Sequence, residues 1–262
     1  MPPEPSGRLI IGLQPVREAL RRHGPRVLRV IVQSGTQPRL EALARYAQDL
    51  GVAVERAGRP LLDRLSQGGT HQGALAWAPE LELTPFSRLL TEPNLLAVAL
   101  DGIQDPQNFG AVVRSAVALG HAAVIWGEHA SAPLTPATFR ASAGAVEHAT
   151  LCRVPSLHGA LHEAATTGVQ VVGLDARAPT QLSSVDLTAP TLLVIGNEHE
   201  GMKRAVRRAC SLTAHLVPPG PVESLNASVA AAVSLYEARI QRIKSTAYQA
   251  SADVSPEHTP ES

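Results

Sequence analysis

A chain of 262 residues is long enough for one large domain or two unequal ones, and 44% hydrophobic against 18% charged residues supplies a globular core. No apolar run approaches the roughly 18 residues that span a bilayer, and the opening MPPEPSGRL lacks a charged stretch followed by an apolar one, so the expected location is cytoplasmic, without a secretory signal. Two cysteines, Cys152 and Cys210, exclude a disulfide scaffold and a four-cysteine zinc site, while the net charge of zero conceals a basic first third with eleven Arg against seven acids in residues 1–80.

Residues 1–8 are Pro-rich and polar and read as a disordered N-terminus. Apolar positions from Val16 to Leu20 have helical spacing, 27–33 reads as a strand, and 38–51 as an amphipathic helix closed by Gly51. A strand at 52–57, a short helix at 60–65 and a strand at 73–78 complete a small α/β unit over 9–80. Residues 81–93, with Pro85 and Pro93, read as a linker with room for one helical turn. A second alternating series fills 94–245. Its expected strands are 95–100, 122–127, 169–176, 191–196 and 215–220, and its expected helices 109–120, 135–149 (at least its start), 157–168 and 225–244. The runs LLAVAL and TLLVIG have the composition of strands buried on both faces. Residues 246–262, with three acids and no base, read as a disordered, solvated tail.

Three segments of the second series follow strand ends, where open α/β sheets place ligands. In LDGIQDPQNFGAVVRS, Asn108 stands where a helix cap would go, Gly110 permits close backbone approach, and Arg114 lies six residues after Asn108. An arginine among Val112, Val113, Ala116 and Val117 gains weight as a paired or functional group. Asp101 and Asp105 are weak evidence for a hard metal. In VIGNEHEGMKR, Gly196 and Gly201 bracket two glutamates, and no Gly-Lys-Ser/Thr follows to make a phosphate loop. In VPPGPVESLNASVA, Ser224 and Asn226 stand at the mouth of the last helix, where caps are the usual reading. His71, His121, His199 and His215 have no zinc-motif spacing, and no metal is expected; both cysteines read as packing residues.

Taken together and in order, these segments resemble the SpoU-type RNA ribose 2′-O-methyltransferases of the SPOUT superfamily. Asn108, Gly110 and Arg114 look like the first family motif; Gly196, Glu198 and Gly201 like the second; Ser224, Leu225, Asn226, Ala227, Ser228 and Val229 like the third. GLQPVREAL (12–20) and HQGALA (71–76) resemble the family's RNA substrate-binding domain. SAGAVEHATLCRV (142–154) is similar to the subgroup that methylates a guanosine in the peptidyl-transferase loop of large-subunit ribosomal RNA. The resemblance implies a small N-terminal α/β RNA substrate-binding domain and a C-terminal α/β domain with a deep trefoil knot. It implies S-adenosylmethionine held largely by backbone, which by position points to Gly196, Val217 and Leu225 with Ile195, Glu198 and Ser224 nearby. It also implies a homodimer through the knotted domains, with the last helix as candidate contact. Two departures are visible: the spacing from Pro218 to Ser224 is one residue short, and Ala227 replaces a common Val.

The family proposal makes Arg114 the group that activates the ribose hydroxyl. An ordinary arginine has a pKa above about 12, which favours stabilisation of a developing alkoxide. Asn108, Glu198, Ser224 and Asn226 would orient Arg114, the ribose or the loops. Arg17, Arg21, Arg22, Arg26 and Arg29 are the expected phosphate contacts. Alternatives are the same chemistry on transfer RNA or another ribosomal site, or a non-catalytic RNA-binding or ribosome-assembly protein with this fold. A Rossmann-type small-molecule methyltransferase would need a Gly-rich loop that LDGIQDPQN lacks.

Overall fold

The computed structural model describes residues 7–35, 37–120, 122–129, 134–198, 200–217 and 224–252. The N-terminal unit comprises β1 (Arg8–Ile11), α1 (Leu13–His23), β2 (Arg29–Gln33), α2 (Pro38–Asp49), β3 (Val54–Ala57), α3 (Arg59–Leu65) and β4 (Ala74–Ala78). Its mixed sheet has the order β1-β4-β2-β3, with β4 antiparallel to both β1 and β2 and β2 parallel to β3. Alternation along the strands gives it two cores. Ile10, Val30, Val32 and Ala76 pack beneath Val16, Leu20, Leu40 and Leu43 of α1 and α2. Ile11, Ile31, Leu75 and Trp77 face Leu62 of α3.

The C-terminal unit contains α4 (Phe86–Leu90), β5 (Leu96–Leu100), α5 (Pro106–Ala118), β6 (Ala123–Gly127), α6 (Pro136–Ala141), β7 (Leu151–Val154), α7 (Leu157–Thr166), β8 (Gln170–Leu174), β9 (Thr180–Gln181), β10 (Thr191–Ile195), α8 (Arg204–Ala209), β11 (Leu212–His215) and α9 (Ala227–Ala252). Its seven strands are all parallel, in the order β7-β6-β5-β10-β8-β11-β9. The central strands are buried on both faces, as their unbroken apolar runs predict. Leu96, Val98 and Leu100 of β5 join Leu193 and Ile195 of β10 beneath α5 and α9. Ala97, Ala99, Leu192 and Val194 point the other way, into a core with Leu157, Leu161 and Val206 of α7 and α8.

Gln241 and Arg242 anchor the last helix, Gln241 Oε1 accepting Leu187 N–H at 2.9 Å. Arg242 donates from Nε to Leu187 O at 2.9 Å, from Nη1 to Asn94 O at 2.7 Å, and from Nη2 to Leu95 O at 2.9 Å and Ala189 O at 2.8 Å. Four carbonyls at the entries to β5 and β10 thereby find a donor, and α9 is fixed across the sheet's start. Burial, with Arg239 nearby, lowers the pKa of that guanidinium.

Several expected boundaries shift. Arg8, assigned to a disordered N-terminus, opens β1 and is buried. The last strand lies at Leu212–His215 rather than 215–220, and α9 continues through 246–252, which composition assigned to the tail. The linker holds α4, in keeping with the single helical turn its sequence allows, and Leu83 bridges to Leu151 of β7. Within 135–149 the expected helix start is α6, and it ends after Ala141 because Ala143 (φ 52°) and Gly144 (φ 84°) are left-handed, with a 3-10 turn following at Ala145–His148. Positions 1–6, 253–262, His121, His199 and Pro218 lie outside the described residues.

Candidate active site

β5 and β10 are parallel neighbours, with Leu100 opposite Ile195. The strand following β5 lies on one side of this pair and β8 on the other, so the sheet reverses its winding here. In an open parallel sheet such a switch point leaves a crevice at the carboxyl ends. The first two sequence motifs leave the sheet at this point.

Their loops are tied together by main-chain and amide bonds. Asp101 N–H donates to Ile195 O at 2.9 Å, and Asp101 Oδ2 accepts Lys203 N–H at 2.7 Å. Asn197 Nδ2 donates to Gly102 O at 2.9 Å. Asn197 and Gly201 exchange main-chain hydrogen bonds of 3.0 and 2.8 Å, which close residues 197–201 into a tight loop with Glu198 on it. Gly196 admits the returning chain: a Cβ there would fall 2.3 Å from Gly201 C and Met202 N. Asp101 therefore serves the architecture. No group of three or more His, Cys, Asp or Glu among the described residues is arranged to hold a metal.

Three predicted polar residues meet across these loops. Asn108 Nδ2 donates to Glu198 Oε1, and Asn226 Nδ2 donates to the same Glu198 oxygen at 2.8 Å and to Asn108 Oδ1 at 3.0 Å. Asn226 Oδ1 meanwhile accepts Ser228 N–H at 2.9 Å, Ser228 Oγ–H at 2.6 Å and Val229 N–H at 3.3 Å, so it caps α9 as well. Asn108 is not the cap of α5. Asp105 is, accepting Gln107 N–H at 2.9 Å with Pro106 as the first helical residue, and Asn108 follows one turn in. A cleft of about 190 Å³ opens beside the cluster, lined by Ile103, Gln104, Asp105, Asn108, Asn197 and Glu198.

Arg114 lies six residues beyond Asn108 on α5, on the order of 9 Å along the axis. It is exposed and forms no hydrogen bond or ion pair with any described residue. A cation that pairs with no described residue, on the helix that also carries Asn108, is available to an anionic or developing-anion ligand. Gly110 is pressed against α6, where a Cβ would sit 2.4 Å from Ala141 Cβ, so α5 and α6 move as one piece.

The expected cofactor positions divide. Ile195 is buried, and its carbonyl is taken by Asp101. Gly196, Val217 and Leu225 make no main-chain hydrogen bond to another described residue, and the side chains of Val217 and Leu225 are 61% and 48% exposed. Main-chain groups without a partner among the described residues, beside exposed apolar side chains, suit an adenosine-like ligand. Ser224 is exposed and unbonded among the described residues.

Of the five N-terminal arginines, Arg17, Arg22 and Arg26 are exposed without an acidic partner among the described residues. Arg21 pairs with Glu18 at 3.0 Å. Arg29 departs from its expected role: it pairs with Glu55 at 2.8 Å and lies 5.2 Å over the Trp77 ring, so packing occupies it. His71 is a satisfied core histidine, between Asp63 Oδ1 at 2.9 Å and Gly73 N–H at 2.9 Å. Burial pushes both thiols, Cys152 and Cys210, up to about 11, which suits packing residues. Asn197 and Lys203 were not singled out from sequence. Their partners lie 95 and 102 residues away, and only the flanking glycines of the second motif marked the loop.

Residues 95–236 match the model of the SpoU rRNA methylase family, and residues 9–84 match that of the RNA 2′-O ribose methyltransferase substrate-binding domain. An uncharacterized tRNA/rRNA methyltransferase of Mycolicibacterium smegmatis is 39% identical over 241 residues, covering 89% of this chain and 76% of that protein. Among solved structures, the SpoU methyltransferase AviRb from Streptomyces viridochromogenes is 29% identical with a TM-score of 0.75, covering 91% of each chain. The structure of AviRb in complex with the cofactor AdoMet gives a TM-score of 0.72 over 90% of each chain.

Proposed function

The chain belongs to the SpoU rRNA methylase family and is an RNA 2′-O-ribose methyltransferase, and on that premise we propose that it uses S-adenosylmethionine to methylate the ribose of a guanosine in large-subunit ribosomal RNA. One observation carries the site assignment: three segments distant in sequence are knit by Asn108, Glu198 and Asn226, and farther along the helix that carries Asn108, Arg114 is exposed without a partner among the described residues. The structure of AviRb in complex with the cofactor AdoMet, alignable over 90% of each chain, supports the cofactor. The choice of guanosine and of ribosomal RNA is supported by the similarity of residues 142–154 to one subgroup and by the substrate-binding unit.

When bound, S-adenosylmethionine supplies an electrophilic methyl on a sulfonium. Gly196, Val217 and Leu225 would hold it through main-chain groups. Ile195 contributes by shaping the strand end and Ser224 by bordering the loop. In this reading the close crossing at Gly196 belongs to the threading of a deep trefoil knot. Asn108 and Asn226 hold the Glu198 carboxylate with amide donors, so that carboxylate orients the loops rather than taking the hydroxyl proton. Arg114 faces the ribose and stabilises negative charge growing on the 2′-oxygen. The 2′-oxygen would gain the methyl as the methyl–sulfur bond breaks to leave a neutral thioether, and the hydroxyl proton would be released to solvent; the two bonds must lie in line, so much of the rate comes from positioning.

RNA phosphates are assigned to Arg17, Arg22 and Arg26. For a single-stranded target each phosphate contact contributes about −0.7 to the slope of log affinity against log salt. Replacing all three with Ala is expected to flatten that slope by roughly 2, read by filter binding across a salt series. An unchanged slope would move the phosphate path elsewhere. The homodimer is assigned to α9, whose Val229, Val233, Tyr236 and Ile243 form an exposed apolar stripe continuing Leu225. Val233→Glu is expected to yield a monomer by sedimentation with lost transfer activity; a dimer of that variant would place the interface on another face.

The decisive experiment transfers a labelled methyl from S-adenosylmethionine to unmodified large-subunit ribosomal RNA and to bulk transfer RNA, followed by nucleoside mass spectrometry. A 2′-O-methylguanosine in ribosomal RNA is the expected product. A methylated ribose in transfer RNA alone would reassign the substrate.

A further inference from the structure

The two units meet along a seam built from charged groups taken out of water. Arg8, at the start of β1, donates from Nη1 to Glu147 Oε1 at 2.8 Å and from Nη2 to Glu147 Oε2 at 2.7 Å. His23, the last residue of α1, places Nε2 2.9 Å from the same Oε2. The Glu147 side chain is 0% exposed and that of Arg8 7%. The Arg8 guanidinium also lies 4.8 Å over the ring of Phe139 from α6. At the edge, His148 Nε2 is 3.1 Å from Glu18 Oε2.

Two glycines let the units close this far. A Cβ on Gly144 would stand 2.9 Å from Pro15 Cα and Glu18 Cβ, and one on Gly69 would stand 3.0 Å from Arg140 Nη1. A forked, bidentate arginine–carboxylate pair fixes an angle as well as a distance. Removing one partner of such a buried pair leaves an uncompensated charge, so the pair resists sliding and parting. Burial by itself would raise the Glu147 carboxyl, but the hydrogen bonds from His23 and Arg8 outweigh it and hold the group below the usual carboxylate range.

Glu147 stands on the 3-10 turn that packs against α5, the helix carrying Asn108 and Arg114. The seam is therefore one step from the reactive helix, while none of its charged groups lines the cleft. We propose that Glu147 is a positioning residue: it locks the substrate-binding unit at one angle to α5, so that RNA held on the N-terminal arginines presents one ribose to Arg114. The lock rests on the RNA-methylating reading above and adds to it what sets the register between capture and chemistry.

The test pairs a distance with a kinetic split. Nitroxides on Tyr46→Cys and His162→Cys, both exposed and on opposite units, report the angle between the units in a Cys210→Ala background. Labelled chains are diluted with unlabelled ones, so that only distances within a chain are read. The full-length chain is expected to give one narrow distance. Glu147→Gln is expected to broaden it and to raise KM for RNA by about tenfold or more, with kcat at saturating RNA within about twofold. Cofactor affinity in the same variant shows whether the methyltransferase unit is folded. The apolar replacement Arg8→Met/His23→Leu/Glu147→Leu keeps the seam closed without charge. It is expected to restore both the narrow distance and the KM.

A narrow distance and unchanged KM in Glu147→Gln would overturn the lock. A broadened distance with unchanged KM would overturn its role in positioning. Failure of the apolar variant to recover KM despite a narrow distance would do the same. A wild-type chain that methylates no RNA would sink the RNA reading, and the distance distributions would still decide whether the seam is locked by Glu147.

Discussion

Arg114→Ala is expected to lower the rate of methyl transfer by about 10²- to 10³-fold while leaving cofactor affinity unchanged. The size follows from the role proposed for Arg114: losing one donor to a developing oxyanion typically costs about 3–4 kcal/mol of transition-state stabilisation. The selectivity follows from geometry. Arg114 forms no hydrogen bond or ion pair with the described residues of the loops assigned to the cofactor, and its neighbours Val112, Val113 and Ala116 hold α5 in the core without it. Truncation therefore removes charge and little packing. Arg114→Lys restores a positive charge as a single point without the planar fork, and is expected to recover part of the rate. Single-turnover transfer at saturating RNA, with cofactor titration calorimetry beside it, reads both quantities. Activity of the Ala variant within about tenfold of wild type would remove Arg114 from the chemistry and turn attention to Glu198.

The parts of this architecture that sequence discloses are those where burial leaves a compositional mark. LLAVAL and TLLVIG are apolar at every position because both faces of β5 and β10 are covered. The first two motif loops were legible because Gly102 and Gly196 follow on the ends of β5 and β10. β1 was not legible as a strand. Its four residues run through Gly12 (φ 110°) into α1, and the helical spacing that starts at Val16 masks the short extended run. β11 was placed too late because LTAH is only weakly apolar, and pairing with β8 decides its position. Residues 246–252 look solvated by composition but contain Ala and Gln and simply prolong α9. At the first motif, Asn108 and Asp105 competed for the cap. Asp105 precedes Pro106, whose missing N–H suits the first helical position, and so Asn108 was freed to reach Glu198. The Arg8–Glu147 pair spans 139 residues, and no local pattern announces such a contact.

Gly196→Ala is expected to be the most damaging single substitution in the cofactor region, with a loss of stability of about 3 kcal/mol or more and no measurable cofactor binding. Overpacking a tight site typically costs about 1–3 kcal/mol, and more where nothing can yield. Here the added methyl would lie 2.3 Å from Gly201 C and Met202 N and 2.7 Å from Gly201 O, all main-chain atoms. That main chain has no freedom to retreat. Gly201 is fixed by two hydrogen bonds to Asn197, and Lys203 N–H is held by the buried Asp101 carboxylate. Relief means opening the 197–201 loop, which carries Glu198 away from Asn108 and Asn226 and frees the start of α9. The neighbouring Gly201→Ala is the informative control. Its φ of 68° is left-handed, but open space surrounds the position, so only the conformational cost of about 1–2 kcal/mol applies. Urea unfolding and cofactor calorimetry on both variants should rank Gly196→Ala well below Gly201→Ala in each measurement. Equal stabilities would mean that the chain does not cross itself this closely at Gly196, and the cofactor assignment to Gly196 would fall with it.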